Sequence, residues 1–280
     1  MNSQPHPNEE TLAHVPLSDD YRFRFGGIAR LYGEEGLVKI AKSHVAVIGI
    51  GGVGSWTAEA LARSGVGQLT LFDLDDVCVS NVNRQLHALE GTIGQPKVAV
   101  MAERLQRINP EIQVHQAIAF VTPQKLPEQL DQGFDVIIDA TDTVPVKAAL
   151  IAWCKRHKQR LVVVGGAGGQ LDATAVKTAD LARTTQDPLL AKVRNLLRRE
   201  YGFSRNPKRR FDVECVYSEE QLTYPQPDGS TCAQKPGSGE SMRMDCSSGF
   251  GAATFVTGTF GFVAAQRALA KITRSPKPQC

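Results

Sequence analysis

Residues 45–56 read VAVIGIGGVGSW, in which an apolar run leads directly into a turn that contains four glycines. The apolar run predicts a buried strand over 44–49, and the residues after the glycines predict a helix over about 53–64. Glycines allow a backbone to turn tightly and to approach a phosphate closely, while the next helix offers free N–H groups at its N-terminus. We therefore predict a nucleotide-binding turn built from Gly49, Gly51, Gly52 and Gly54.

Strands and helices alternate along the chain around this turn. Two short helices with a break at 32–33 are predicted over 21–42, strands over 68–73, 112–117, 135–140 and 160–164, and helices over 96–108 and 145–158. This order predicts an α/β, Rossmann-like fold, with a mostly parallel sheet and helices on both faces. The second half predicts a strand over 171–176, a basic helix over 187–201 and a long excursion over 205–245. We expect N-terminal helices and an irregular C-terminal extension around the sheet.

The composition is that of an ordinary globular protein. The 280 residues are 42% hydrophobic and 22% charged, and a net charge of +3 does not mark a nucleic-acid-binding protein. Residues 1–20 predict a flexible tail without a signal peptide. Residues 21–275 predict a single domain, with a nucleotide-binding core over 21–175 and a part over 176–275 that packs on it and faces the substrate. None of the six cysteines forms a CxxC pair, which argues against a structural zinc site and indicates reduced thiols in the cytoplasm.

Residues 247–266 carry no charged side chain and reach the length of a membrane span. The stretch is rich in glycine and contains serine, threonine and glutamine, which suits a helix packed closely in a protein core. We predict a buried helix here and expect no integral membrane role; association with a membrane is the alternative.

An acidic residue and two basic residues follow the glycine turn. Asp73 ends the second predicted strand, where a carboxylate can bind ribose hydroxyls. This position suits NAD and ATP equally, because both contain an adenosine ribose. Arg84 and Lys97, accompanied by Asn81 and Gln85, favour a triphosphate, since a dinucleotide is held mainly by backbone amides.

A further carboxylate, Asp142, follows the fourth predicted strand, at the edge of an α/β sheet where ligands bind. It can hold magnesium on the phosphates. The alternative for Asp142 is the N-cap of the next helix.

Four motifs make the chain similar to the ubiquitin-activating-enzyme-like superfamily, which includes the bacterial molybdopterin and thiamine sulfur-carrier adenylyltransferases. They are GIGGVG, LFDLDDVCVSNVNRQ, GQPK and DATD, and the similarity spans about 21–175. The resemblance implies that a carboxylate attacks the α-phosphate of ATP, giving an acyl-adenylate and pyrophosphate, and that the protein is a homodimer. It implies catalytic roles for Arg84, Lys97 and Asp142, with magnesium served by Asp142. ATP is expected to contact the turn glycines, Asp73, Asp75, Asn81, Arg84, Gln85, Lys97 and Asp142.

Four other stretches resemble one branch of that superfamily, the tRNA threonylcarbamoyladenosine dehydratases. They are RFGGIARLYG (24–33), VGGAGGQLD (164–172), QDPLLAKVR (186–194) and MDCSSGFGAATFVTGTFGFVA (244–264). This resemblance implies ATP-dependent cyclisation of threonylcarbamoyladenosine next to the anticodon of tRNA, by adenylation of the threonyl carboxylate and intramolecular attack. A tethered acceptor has a high effective molarity, so no transfer cysteine is needed. Cys215, Cys232 and Cys246 are then ordinary thiols; a persulfide or thioester role is the alternative.

Other functions stay open at this stage. The chain can instead activate the C-terminal glycine of a small sulfur-carrier protein, although it lacks the zinc-binding CxxC pairs of such enzymes. An NAD-dependent oxidoreductase and a non-catalytic nucleotide-binding module are further alternatives. Relatives in the superfamily also carry an N-terminal arginine pair that reaches a partner subunit. Arg24 matches the first member, while the second falls near Gly27, and Arg30 is its candidate replacement. A sulfur-transfer protein partner and a bound monovalent cation are left open.

Residues 192–210 concentrate positive charge, with eight Lys or Arg against one Glu. Such segregation suits a phosphate backbone and predicts a tRNA-binding surface, with Tyr201, Phe203 and Phe211 available for stacking. A solvated helix followed by a charged loop is the alternative. The residues predicted to bind tRNA are Arg194, Arg198, Arg199, Arg205, Lys208, Arg209 and Arg210. The glycine-rich segment 165–169 is expected beside the α-phosphate.

Overall fold

The computed structural model describes residues 17–226, 228–234 and 250–274. Seven strands form one sheet in the order β3-β2-β1-β4-β5-β7-β6, and β8 and β9 form a small hairpin. All strands of the large sheet run parallel except β6, which is antiparallel to β7. The strands are β1 (His44–Ile48), β2 (Gln68–Phe72), β3 (Gln113–Ala117), β4 (Val136–Asp139), β5 (Leu161–Val164), β6 (Val176–Asp180), β7 (Glu214–Ser218), β8 (Tyr224–Pro225) and β9 (Thr231–Cys232).

Helices cover both faces of the sheet, which confirms the predicted fold class. They are α1 (Asp19–Lys42), α2 (Gly54–Arg63), α3 (Lys97–Ile108), α4 (Leu126–Leu130), α5 (Val144–Arg156), α6 (Pro188–Glu200) and α7 (Thr254–Thr273). Alternate residues of each central strand serve two separate cores. In β1, Val45 and Val47 pack with α2, α3 and α7, whereas Ala46 and Ile48 pack with α4, α5 and α6. The near-continuous apolar strands of the sequence reflect this burial on both sides.

The predicted break in the N-terminal helices is confirmed. Helix α1 contains a kink at Gly33, whose φ of 76° lies in the left-handed region that glycine tolerates. The Ser18 side chain accepts a hydrogen bond of 2.9 Å from the backbone N–H of Tyr21 and caps the helix start. The helix thus begins at Asp19, two residues before the predicted helix start at residue 21.

The uncharged stretch near the C-terminus forms part of a buried helix, as predicted. Helix α7 begins at Thr254, while 247–249 lie outside the described residues. Its inner face packs against α2 and the sheet, and Gly261 faces Trp56 so closely that a Cβ there would lie 2.7 Å from the Trp56 Cβ. Among the described residues, no helix is long and apolar enough to cross a membrane.

Two predictions for the second half are wrong. Residues 171–176 are not a strand: the Asp172 side chain binds the backbone N–H of Thr174, and the Glu220 carboxylate binds the N–H groups of Leu171 and Asp172, which fixes a turn. The strand starts only at Val176. The excursion predicted over 205–245, of which 227 and 235–245 lie outside the described residues, contains the buried strand β7, which the polar composition around it obscured.

Candidate nucleotide-binding site

The glycine turn lies where three neighbouring strands end. Ile48 is level with Phe72 on one side and with Asp139 on the other, so Gly49, Asp73 and Ala140 leave the sheet together. Gly49 has a φ of 88°, and a Cβ there would lie 3.0 Å from the Ala140 carbonyl oxygen. A side chain at Gly54 would collide with the Gly49 carbonyl. The tight turn therefore needs glycine at both positions.

The carboxylate of Asp73 joins the end of β2 to the glycine turn. One oxygen accepts a 2.6 Å hydrogen bond from the Ile50 N–H, and the other accepts one of 2.9 Å from the Asp75 N–H. Burial raises the pKa of Asp73, and the nearby Lys97 ammonium opposes that shift. The group is held in one orientation beside the turn, where a carboxylate can bind ribose hydroxyls.

Lys97 is a buried cation at the start of α3. Its side chain is 7% exposed, and its Nζ lies 2.9 Å from a carboxylate oxygen of Asp75, whose side chain is 57% exposed. The backbone N–H of Lys97 also bonds the Asp75 carbonyl at 3.0 Å. The buried ammonium thus has a solvent-facing acidic partner, which an incoming phosphate can replace without leaving an unpaired charge inside the protein.

The loop that follows β2 carries Arg84 over the glycine turn. The Arg84 guanidinium donates to the Ser80 carbonyl at 2.8 Å and to the Asn83 side-chain oxygen at 3.0 Å. Its stem adjoins Gly52, where a Cβ would lie 3.3 Å from the Arg84 Cγ. The Arg84 carbonyl accepts hydrogen bonds from Trp56 on α2 at 3.1 Å and from Thr257 on α7 at 3.3 Å. Two helices therefore hold this loop in place.

Asn81 and Gln85 belong to the same loop and are both buried. The Asn81 side-chain oxygen accepts a 3.0 Å hydrogen bond from the Cys78 N–H, which shapes the loop. The Gln85 amide lies beside Gly51, and its buried Oε1 has no hydrogen-bond partner among the described residues. Buried polar atoms are normally satisfied, so the unpaired oxygen of this amide favours a bound ligand that supplies a donor.

Asp142 is exposed just beyond β4. It is not the N-cap of α5, because that position belongs to Thr143. Asp139, three residues earlier, is fully buried and forms an ion pair of 2.9 Å with the equally buried Lys147 of α5. Asp139 also accepts hydrogen bonds from the Thr141 N–H at 3.0 Å and hydroxyl at 2.7 Å, which shapes the segment that presents Asp142.

Sequence reasoning missed Lys147. The signal was a single lysine in the otherwise apolar run VPVKAALIAWC, where a buried charge needs a partner.

Sequence reasoning also missed Asp187, which connects the glycine-rich segment 165–169 to α6. Its two carboxylate oxygens accept hydrogen bonds of 2.9 Å, one from the Gly166 N–H and one from the Leu190 N–H in the first turn of α6. A side chain at Gly165 would collide with this carboxylate. Burial raises the pKa of Asp187. The detectable signal was the Asp-Pro pair at 187–188, a common helix start.

The residues predicted to bind tRNA are spread along α6 and the loop after it. Arg194 is half-buried and donates to the Leu181 carbonyl and the Thr184 hydroxyl, and Arg198 lies 5.4 Å from the centre of the Phe211 ring. The remaining five, Arg199, Arg205, Lys208, Arg209 and Arg210, are exposed.

The stacking prediction is wrong for one of the three aromatic residues. Phe211 is buried in the core, while Phe203 is partly buried and packs on it, with ring centres 4.9 Å apart. Tyr201 is the one that remains exposed.

The cysteines named from the sequence occupy different environments. Cys215 is buried in β7, and burial raises its pKa well above the ordinary value, which suits an inert thiol. Cys232 is partly exposed on the hairpin, while Cys246 lies outside the described residues.

The order of the strands reverses between β1 and β4, and the glycine turn, Asp73 and Lys97 lie beside that point. This arrangement defines a nucleotide-binding protein with a Rossmann-like sheet. The family model described as the ThiF family matches residues 27–280. The chain is 55% identical over 258 residues to the tRNA threonylcarbamoyladenosine dehydratase of Escherichia coli, covering 92% of this chain and 96% of that protein. The chain therefore belongs to the ThiF family, in the branch of the tRNA threonylcarbamoyladenosine dehydratases.

Two further similarities place this branch in context. A crystal structure of the E. coli dehydratase in complex with ATP matches with a TM-score of 0.82 and 50% identity, covering 92% of this chain and 97% of that one. The molybdopterin-synthase adenylyltransferase of Salmonella typhimurium is 38% identical over 148 residues, covering 52% of this chain and 59% of that protein. Both similarities agree with the superfamily resemblance inferred from the motifs.

Proposed function

We propose that the chain is an ATP-dependent tRNA threonylcarbamoyladenosine dehydratase. One observation carries the proposal: the similarity to the E. coli dehydratase extends over 92% of the chain, including the part after the nucleotide-binding core. The similarity to the molybdopterin-synthase adenylyltransferase covers only 52%. The second half of the chain is where a substrate other than ATP is expected to be recognised, and it supports the dehydratase over activation of a sulfur-carrier protein.

The proposed reaction has two steps on the substrate side chain. A threonyl carboxylate oxygen bonds to the α-phosphorus of ATP, and the bond from that phosphorus to the bridging oxygen of the β-phosphate breaks, releasing pyrophosphate. A nitrogen or oxygen of the same side chain, losing its proton, then attacks the activated carbonyl carbon, and the carbon–oxygen bond to AMP breaks. The oxygen that leaves with AMP accounts for the overall loss of water. The tether makes the second step effectively unimolecular.

The site residues have distinct roles in this proposal. Asp73 binds the ATP ribose, and Lys97 exchanges Asp75 for the triphosphate. Asn81 shapes the loop that carries Arg84, whose guanidinium exchanges its backbone partner for a phosphate when ATP binds, before charge develops at the phosphorus. Positive groups already in position stabilise such charge without reorganisation. Gln85 Oε1 accepts a hydrogen bond from the nucleotide at the Gly51 side of the turn.

Magnesium fits the carboxyl end of β4. Asp142 is an exposed carboxylate next to the glycine turn, and magnesium in phosphate sites is commonly held by one or two carboxylates together with substrate phosphates. It would neutralise phosphate charge during attack on the α-phosphorus. A monovalent cation and a sulfur-transfer protein partner stay open. The division into a core over 21–175 and a substrate-facing part over 176–275 stays a prediction. A tRNA substrate favours the cytoplasm.

A homodimer is part of the proposal. Large apolar side chains on α1, the loop after β2 and α7 face solvent, and burying them between two copies would stabilise a dimer. They are Phe23, Leu31, Val79, Val82, Phe255 and Phe262. Arg24 and Arg30 are exposed on the same helix as Phe23. Light scattering on the purified chain, compared with a Phe23→Asp variant, tests whether a dimer forms and whether α1 takes part.

The decisive experiment supplies the purified chain with ATP and tRNA that carries threonylcarbamoyladenosine, followed by mild digestion and mass measurement of the nucleosides. We expect the modified nucleoside to lose the mass of one water, with one AMP and one pyrophosphate formed per nucleoside. Unmodified tRNA is the control and should release neither. If pyrophosphate exchange into ATP requires a small sulfur-carrier protein instead of modified tRNA, the alternative adenylyltransferase is correct.

A further inference from the structure

A second concave site lies on the same edge of the sheet as the glycine turn but beyond β5. It is a pocket of about 280 Å³ between the start of α6 and the segment that follows β7. Gln186, Asp187 and Arg194 line it on the α6 side, and Gln221, Leu222 and Tyr224 on the other. The pocket thus combines a cation, a carboxylate, two amide side chains and an aromatic ring.

The glycine-rich segment 165–169 separates this pocket from the nucleotide turn. Asp187, a lining residue, accepts the hydrogen bond from Gly166, and the backbone N–H of Thr223, beside the lining residue Tyr224, donates to the Gly169 carbonyl at 2.7 Å. Adjacent strands lie about 4.8 Å apart, so the end of β5 is roughly 10 Å from the end of β1. A ligand that reaches both places must cross the glycine-rich segment, passing the Phe250 side chain, which packs against Gly168 and Gly169.

The walls of the pocket have the chemistry that recognises an unstacked nucleobase. Tyr224 is half-buried and is braced by Phe250, with ring centres 5.1 Å apart. Exposed amides such as that of Gln221 can bond the edge of a base, and RNA bases in loops are typically stacked on an aromatic ring and bonded in this way. Arg194 donates to the Leu181 carbonyl and the Thr184 hydroxyl through Nη1, so its Nη2 and Nε groups can bind an RNA phosphate.

Strain in the backbone marks the same place. Gln186 has a φ of 53°, in the left-handed region that non-glycine residues rarely adopt. It immediately precedes Asp187, whose carboxylate holds both the glycine-rich segment and the first turn of α6. Such strain persists where the surrounding contacts impose it, and it is frequent at ligand sites.

We infer that this pocket receives the purine of the modified nucleotide, stacked on Tyr224, with Arg194 on the neighbouring RNA phosphate. The inference rests on the proposed dehydratase function. With the purine in the pocket, the threonylcarbamoyl group attached to it extends across the glycine-rich segment toward the α-phosphate of ATP. The two sites on one sheet edge then hold the two ends of the reacting pair.

The test measures steady-state kinetics of the full chain with an anticodon stem-loop RNA that carries threonylcarbamoyladenosine. Loss of one base–aromatic stack corresponds to roughly a 10- to 100-fold weakening, so Tyr224→Leu should raise the KM for RNA by that factor. The KM for ATP should stay unchanged, because the nucleotide turn is separate. Tyr224→Phe keeps the ring and should behave like the unaltered protein. Phe120→Leu, which removes an exposed aromatic ring in the loop after β3, is the matched control.

The outcomes separate this inference from the proposed function. The pocket assignment alone is overturned if the unaltered protein cyclises the RNA and the KM of Tyr224→Leu for RNA lies within twofold of the unaltered value. An unaltered protein that fails to cyclise the RNA overturns both. If Tyr224→Leu does not fold, Gln221→Leu replaces it, since Gln221 is exposed; an unchanged KM for RNA in that variant also overturns the assignment.

Discussion

Among the site residues, Lys97 gives the most specific indication that the site binds a phosphate, both in the sequence and in the structure. A lysine ammonium with a side chain 7% exposed is rare unless it is paired, and its one ion-pair partner among the described residues is the exposed Asp75. A partner that remains hydrated can be released at little cost. The pair is therefore suited to exchange with a phosphate, whereas a permanent structural ion pair, such as that of Lys147 with Asp139, is buried on both sides.

Replacing Lys97 tests this interpretation. Lys97→Met keeps the buried stem and removes the charge, and loss of one preorganised electrostatic contact typically lowers kcat by about 100- to 1000-fold. We expect a loss of that size in AMP formation with modified tRNA, with little change in stability because Asp75 remains solvated. Lys158→Met, which removes an exposed lysine at the opposite edge of the sheet, is the control and should retain full activity. Equal activity in both variants would remove Lys97 from the phosphates.

A site residue could be predicted from the sequence when the evidence for it lies in the neighbouring residues of the chain. The glycine turn, Asp73, Arg84, Lys97 and Asp142 follow strands or open helices, so their shared edge follows from the alternation of elements. Lys147 and Asp187 act through partners on other elements, at the end of β4 and at the glycine-rich segment. Those contacts can be predicted only when the order of the strands in the sheet is known, and the sequence pattern does not specify that order.

His87 gives a prediction for stability. It is 1% exposed, its ring nitrogens have no hydrogen-bond partner among the described residues, and burial, with a smaller effect of Lys97, lowers its pKa to about 4. Charged groups of α2 and α3, Arg63, Glu103, Arg104 and Arg107, line the pocket beside it. Because the unfolded chain binds a proton at this histidine near pH 6.5, stability falls as pH falls from about 6.5 to about 4 and then levels off.

The pH dependence isolates this histidine. Denaturant unfolding at several pH values should show that His87→Phe, which keeps a ring and cannot ionise, loses less stability than the unaltered protein over that interval. The difference should approach about 3 kcal/mol, since each pKa unit corresponds to 1.36 kcal/mol. His157→Phe, which removes an exposed histidine, is the control. If the free energies of unfolding of the unaltered protein and of His87→Phe change equally with pH, His87 does not cause the loss of stability at low pH.

At the scale of secondary-structure elements, the contact of α2 with α7 connects stability to the nucleotide site. Trp56 and Thr257 come from these two helices and bind the same Arg84 carbonyl. Gly261 permits their close approach, because a Cβ there would lie 2.8 Å from the Val53 carbonyl oxygen and 3.0 Å from the Thr57 nitrogen. A side chain at this position forces the helices apart and moves the loop that carries Arg84.

Two glycine substitutions distinguish the effect of helix packing on stability from the effect of helix propensity. Gly261→Ala should lower the free energy of unfolding by about 1–3 kcal/mol through overpacking and should raise the KM for ATP. Gly27→Ala, in α1, meets no atom within 4 Å and should raise the free energy of unfolding by about 0.5–1 kcal/mol, because alanine favours a helix. Thermal and denaturant unfolding measure both effects. A stabilising Gly261→Ala would mean that the helices adjust freely and that Arg84 is not positioned through them.

The same scale explains which elements the sequence revealed. Strands β1, β2, β4 and β5 are buried along almost their whole length, and their apolar runs were recognisable. Strand β7 is also buried, but it lies between the charged loop 205–210 and a polar segment, so a composition average over 205–245 obscured it. Edge strand β6 is half-exposed. It begins at Val176, after the turn at 173–175, and therefore later than the predicted strand.

For the whole molecule, the position of the positive charge restricts how tRNA can lie. Helix α6 starts at the carboxyl edge of the sheet, beside Gly166, and its 13 residues span roughly 20 Å to the amino edge. The loop with Arg205, Lys208 and Arg209 is therefore about one helix length from the nucleotide turn, a placement that the basic sequence alone did not reveal. An RNA that touches both regions must run along α6, with its anticodon loop at the carboxyl edge.

Salt dependence tests this arrangement. Among the described residues, Lys208 and Arg209 have no ion-pair partner, so both are available for phosphates. In Lys208→Ala/Arg209→Ala, binding of tRNA should weaken whatever the modification, and the slope of log affinity against log salt should fall by about 0.7–0.9 for each lost contact. Affinity for ATP should not change. The control Arg107→Ala/Lys125→Ala also removes two positive charges, but near the β3 edge of the sheet. Equal slopes for the two double variants would place the tRNA on another surface.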